Sequence, residues 1–128
     1  MRTSRQSQYL AWSIALVFVA CSDDSDTPSQ PSKPAAPSFV LAWGTQGSGD
    51  GQFDRPEMIA CDPDGNIYVV DYENYRIQKY NGEGAFLLKW GSRGSGDGQF
   101  EGAEGIACDA NGNIYVSDWA RYRIQKFR

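Results

Sequence analysis

The sequence predicts an all-β fold built from a duplicated four-stranded unit. Three observations carry that expectation. Residues 39–81 and 86–128 align at a constant offset of 47 without a gap, and 27 of the 43 aligned positions are identical. Each copy alternates short apolar runs with clusters of Gly, Asn and Asp, the punctuation of strands and tight turns. No apolar run after residue 20 has helical periodicity. A repeat of this length implies a stacked or radial array, in which one unit cannot bury its own apolar face and needs neighbours.

The chain divides into three parts. Residues 1–20 carry Arg2 and Arg5 and then an apolar stretch, 9–20, interrupted only by Ser13. That stretch is too short to span a bilayer, which needs roughly twenty apolar residues. Its grammar is that of an export signal. The break at Phe18-Val19-Ala20-Cys21 resembles a bacterial lipobox, which implies that Cys21 becomes the lipidated first residue of the mature protein. Phe18 departs from the leucine that signal prefers. Residues 21–38 are rich in Ser, Pro and Asp and lack large apolar side chains, so they are expected to form a flexible tether. The acidic run 22–26 resembles a surface-export signal and equally suits a solvated spacer. Residues 39–128 hold the two repeats, 39–85 and 86–128.

Composition narrows the function. Net charge is −4, and two of the twelve basic residues, Arg2 and Arg5, lie in the leader, leaving ten against sixteen acids. Phosphate binding requires clustered positive charge, so nucleic acid is not an expected partner. The chain has no histidine, which removes the commonest general base and metal ligand.

Each repeat reads in the same order. Residues 39–43 and 86–90 are short apolar runs with aromatic ends, expected as strands. Gly-rich polar loops follow and end at Phe53 and Phe100. No Lys-Ser/Thr closes them and no helix follows, as a phosphate-cradling loop would require. Next come strands over 57–62 and 104–109, with Ile59 and Cys61 on one face. Asp62-Pro63-Asp64-Gly65-Asn66 and Asp109-Ala110-Asn111-Gly112-Asn113 predict hairpin turns. They lack the spaced oxygens and terminal Glu of a complete calcium loop. Strands over 67–71 and 114–118 and over 76–80 and 123–127 finish the unit.

These motifs resemble the NHL repeat. The features are the Gly-x-Phe loop, the Ile-Ala-x-Asp strand, the Asp-x-x-Gly-Asn-Ile-Tyr-Val-x-Asp hairpin and the Asn-x-Arg-Ile-Gln strand. The resemblance covers 39–128 and implies four-stranded blades of a β-propeller, usually six around a channel. Arg121, Ala103 and Ser117 stand where Asn74, Pro56 and Val70 follow the family, and Met58 stands where Gly105 does. Cys61 and Cys108 take a slot where the family has valine, so both are expected as free core thiols. Asp71, Asp118, Arg76 and Arg123 are expected to tie turns rather than to catalyse.

Two blades do not close a propeller. The strands read d-abc-d-abc, with a spare d strand at the front. One expectation is a piece of a longer propeller, which the ending at Phe127-Arg128 without a modified repeat favours. The other is a homotrimer completing one six-bladed ring. The resemblance implies a non-catalytic binding or scaffold module for a protein, peptide or glycan, held in the bacterial cell envelope by the lipid on Cys21, on the periplasmic or surface side. Tyr72, Glu73, Tyr75, Trp119, Arg121 and Tyr122 are the candidate contacts, with packing of blade on blade as their other reading. No residue is assigned to catalysis or metal, and no cofactor is expected. The alternative is a fragment of a lyase- or lactonase-like propeller enzyme using calcium through Asp62, Asp71, Asp109 and Asp118.

Overall fold

The computed structural model describes residues 35–128. The signal segment, Cys21 and most of the tether lie outside the described residues. Residues 38–128 form one compact unit. After a two-residue parallel pair, β1 (Thr45–Gln46) and β2 (Gln52–Phe53), the chain runs through β3 (Pro56–Cys61), β4 (Ile67–Asp71), β5 (Arg76–Tyr80) and β6 (Phe86–Trp90). These four make an antiparallel meander. The second blade holds β7 (Ala103–Cys108), β8 (Ile114–Asp118), a single 3-10 turn (Trp119–Arg121) and β9 (Arg123–Phe127). The arrangement is that of propeller blades, the fold class the sequence predicts.

Turn chemistry sets the registers. Gly65 and Gly112 adopt φ of 80° and 75°, the left-handed region that a residue with a Cβ enters at a cost. The Asp62 and Asp109 carboxylates accept backbone hydrogen bonds from Asp64 and Asn66 and from Asn111 and Asn113. Each hairpin is thereby closed from within the motif that predicted it.

The core lies between the blades. Tyr68, Val70 and Ile77 of the first blade pack with Phe100, Ala103, Ile106, Ile114 and Val116 of the second. Gly91 (φ 107°) sits where a Cβ would stand 2.7 Å from the Tyr75 carbonyl and 2.8 Å from the Phe100 ring, so the passage between blades admits only glycine there.

A buried polar hub anchors each Gly-rich loop. Asp71 is fully buried. Its carboxylate accepts hydrogen bonds from the Asp54 backbone (2.8 Å), Asn74 Nδ2 (2.9 Å), Arg76 Nε (2.7 Å) and Gln78 Nε2 (3.1 Å). Arg76 then donates to the carbonyls of Ser48, Gly49 and Gln52. In the second blade Arg123 holds the equivalent carbonyls of Ser95, Gly96 and Gln99. Its Nε, however, stands 3.8 Å from Asp118 and has no hydrogen-bond partner. The expected structural role of these four residues matches this geometry.

Two expectations need correction. Residues 39–43 form no strand, and Phe39 and Val40 are exposed. A strand needs a partner, and no third strand of a preceding blade stands beside them among the described residues. Cys61 is an exposed free thiol, and Cys108 is only half buried. Ile59 is 57 % exposed while Ile106, its copy, is 8 % exposed. The Ile59–Cys61 face of β3 lacks the neighbouring blade that covers the same face of β7.

The asymmetry of the hubs predicts unequal losses. Asp71→Ala leaves the Arg76 charge buried and unpaired and should cost about 3–5 kcal/mol. Asp118→Ala, beside a looser and partly exposed Arg123, should cost about 1–3 kcal/mol. Urea denaturation of the two variants against the parent measures the order.

Candidate functional site

The six candidate contacts fall on one end of the blades. Tyr72, Glu73 and Tyr75 lie in the turn between β4 and β5, and Trp119, Arg121 and Tyr122 in the corresponding turn between β8 and β9. Each turn is tied to the connection that enters its blade. The Tyr72 and Glu73 amides donate to the carbonyls of Arg55 and Asp54, and the Trp119 amide to that of Gly102. The blade end is therefore a rigid platform of two loops per repeat.

Side chains on the platform are ordered by aromatic and ionic contacts. The Arg55 guanidinium lies 4.6 Å from the centre of the Tyr72 ring and pairs with Glu57 at 2.8 Å and Glu73 at 3.6 Å. Arg93 lies 5.3 Å from the Tyr75 ring and so bridges the blades. Arg121 pairs with Glu101. Tyr72 and Tyr75 are therefore half buried rather than exposed, covered by arginines that the sequence reading did not include. Trp119 and Tyr122 are 57 % and 97 % exposed. A Cβ on Gly102 would meet the Trp119 indole at 2.7 Å, so this glycine lets the indole edge lie against the connection.

Backbone strain gathers at the same end. Arg55, Tyr75 and Tyr122 have φ of 57°, 54° and 52°, and they are the non-glycine residues with positive φ among the described residues. Such conformations are sparsely populated and persist where surrounding contacts hold them. A recess of about 420 Å³ lined by Thr45, Gln46, Asp54, Arg55 and Pro56 adjoins the platform.

One signal could have found the platform from the sequence. The repeats differ at 16 of 43 aligned positions. Two consecutive triplets of differences, 54–56 against 101–103 and 72–74 against 119–121, are brought together by the fold on this end. Arg55, Glu101 and Gly102 belong to those triplets.

The opposite end holds the hairpin carboxylates of the calcium reading. Asp62 receives Asn66 Nδ2 at 2.8 Å and the Tyr68 hydroxyl at 2.9 Å, with Lys79 at 3.7 Å. Burial raises its pKa, but the hydrogen bonds from Asn66 and Tyr68 and the charge of Lys79 bring it below the ordinary value. Asp109 is held lower, at about 2, first by the Asn113 side chain and then by backbone amides of Asn113 and Asn111. These oxygens are taken up by internal donors. Among the described residues no group of three or more Cys, Asp or Glu is placed to hold a metal.

The family model described as NHL repeat matches residues 53–80 and 100–127. One match falls within each of the two repeats. A stretch of 50 residues is 41 % identical to Protein lin-41 of Caenorhabditis elegans, covering 39 % of this chain and 4 % of that protein. The chain thus spans a small fraction of that relative's length. Both NHL matches end at the close of a third strand, and both contain the hub residues and the variable turns.

The low pKa of Asp109 has a signed consequence. A carboxylate with a folded pKa below its unfolded value, near 4, adds stability that is complete above that pH and is lost as pH falls toward about 2. Asn113→Ala removes the largest cause. It should flatten the loss of stability between pH 4 and 2, as read from thermal unfolding across that range.

Proposed function

We propose that this chain is a non-catalytic binding module whose ligand is a protein or peptide, met by the platform of Tyr72, Glu73, Trp119 and Arg121. The observation that carries the reading is the split between identical and differing residues. Asp71, Arg76 and Gln78 of the hub, Asp62, Gly65 and Asn66 of the hairpin and most core residues repeat unchanged, while the two platform triplets change in every position. A scaffold held fixed with varied residues at one end is how a recognition surface is built on a common fold.

The chemistry of the platform favours a polypeptide over nucleic acid. Arg55 and Arg121 are each paired with glutamate, so the surface offers no bare cationic track. An exposed indole and a guanidinium in one turn suit the aromatic, polar and carboxylate groups of a peptide. NHL repeats on a propeller agree with an interaction role.

The module is held at the bacterial cell envelope through Cys21 and the tether. The support is the order of a basic segment, a short apolar run and Ala20-Cys21.

Two experiments test the reading. Peptides selected from a random phage-displayed library against the chain should lose at least tenfold in affinity toward Trp119→Ala and Arg121→Ala. Both exposed positions should leave stability within about 1 kcal/mol of the parent. Equal binding to all three proteins would contradict the platform. Separately, bacteria expressing the chain and fed an alkyne fatty acid should label it and sediment it with membranes, and Cys21→Ala should abolish both. Unchanged labelling in that variant would remove the anchor.

A further inference from the structure

The first blade carries its own cation at the platform end. The Arg55 guanidinium lies over the Tyr72 ring, 4.6 Å from its centre, and its Nε pairs with Glu57 at 2.8 Å. The group thus meets a ring face and a carboxylate at once, the two contacts for which a guanidinium is best shaped. Arg55, Tyr72 and Glu57 belong to one blade, so this seat forms without a neighbouring blade.

The second blade repeats the seat without the cation. Ala103 faces Asp118 as Pro56 faces Asp71, and the same register shift follows in β7 as in β3. Glu104 and Trp119 therefore hold the places of Glu57 and Tyr72, while Gly102 stands where the first blade has Arg55. Among the described residues, the cations over aromatic rings are Arg55, Lys79, Arg93 and Lys126, on Tyr72, Tyr68, Tyr75 and Tyr115. None of them covers Trp119. Glu104 is exposed, and the ion pair at this end of the second blade joins Arg121 to Glu101 instead. The change from Tyr72 to Trp119 also goes toward the ring that attracts a cation most strongly. A cation from position 102 is not accommodated, because a Cβ there would meet the indole at 2.7 Å.

We propose that Trp119 and Glu104 receive the side chain of an arginine supplied by the peptide ligand, in the role that Arg55 plays within the first blade. The inference rests on the ligand reading and deepens it, since it names the residue of the peptide that is recognised. The guanidinium lies on the indole and donates to the Glu104 carboxylate. Arginine fits better than lysine because its planar fork can face a ring and a carboxylate together, whereas an ammonium is a compact, strongly hydrated charge. Charge agrees with this choice. Glu101 and Glu104 set two negative charges against the single positive charge of Arg121, and the Arg121 charge is already taken by Glu101.

The test uses the full chain in mild detergent, titrated with N-acetylarginine methylamide and with its citrulline counterpart, which keeps the shape and lacks the charge. The readout is the NMR shift of the Trp119 indole N–H, assigned by its loss in Trp119→Phe. The arginine compound should move this signal along a saturating curve and the citrulline compound should bind at least fivefold more weakly. Glu104→Gln alters an exposed side chain, so it should leave the unfolding midpoint unchanged while erasing the preference for arginine. Equal responses to the two compounds, no response to either, or an arginine preference that survives Glu104→Gln would overturn the proposal. The phage-selected peptides separate it from the ligand reading. Peptides that need Trp119 and Arg121 but tolerate replacement of every arginine by citrulline keep the platform and remove the arginine seat. An arginine preference at Trp119 beside peptides that bind parent, Trp119→Ala and Arg121→Ala equally would count against the ligand reading alone.

Discussion

The carboxylate of Asp71 is the point on which the first blade depends. It is fully buried and receives hydrogen bonds from the loop before β3, from the turn after β4 and from two side chains of β5. Through Arg76 it also fixes three carbonyls of the Gly-rich loop. A buried ion pair contributes little net stability compared with apolar packing, but losing one partner is expensive. What the hub supplies is geometry, because loop, turn and strand take their positions from one group.

The second blade keeps the plan with a looser hub. Asn74 binds Asp71 and the Gly47 carbonyl in the first blade. Its counterpart, Arg121, instead reaches outward and pairs with Glu101. A structural amide is exchanged for a surface guanidinium in the turn that carries the exposed Trp119. The exchange falls at the blade end where the strained backbone also collects.

The strands, the hairpins and their order were legible because they depend on local signals. Asp-x-x-Gly-Asn closes a turn from its own side chains, and alternating runs flank it. Burial was less legible, because it depends on position in the array. Ile59 and Ile106 sit in matching Glu-x-Ile-Ala-Cys-Asp segments, yet one is exposed and the other buried. No local reading distinguishes them. Residues 39–43 fail to form a strand for the same reason, since β6, nearly their copy, has β5 beside it. For the candidate site, the turns were found but not their partners. Arg55 and Arg93 lie in other elements, and only the fold brings them over Tyr72 and Tyr75.

Amide hydrogen exchange tests most directly whether the Asp71 hub organises the blade. The amides of Gly51 and Asp54 donate to Gln78 Oε1 and Asp71 Oδ1 from an otherwise open loop. If the hub holds the loop as part of the blade, these amides exchange as slowly as those of β4 and β5, by unfolding of the whole unit. Exchange at the rate of an exposed Gly-rich loop, with β4 and β5 still protected, would contradict the account.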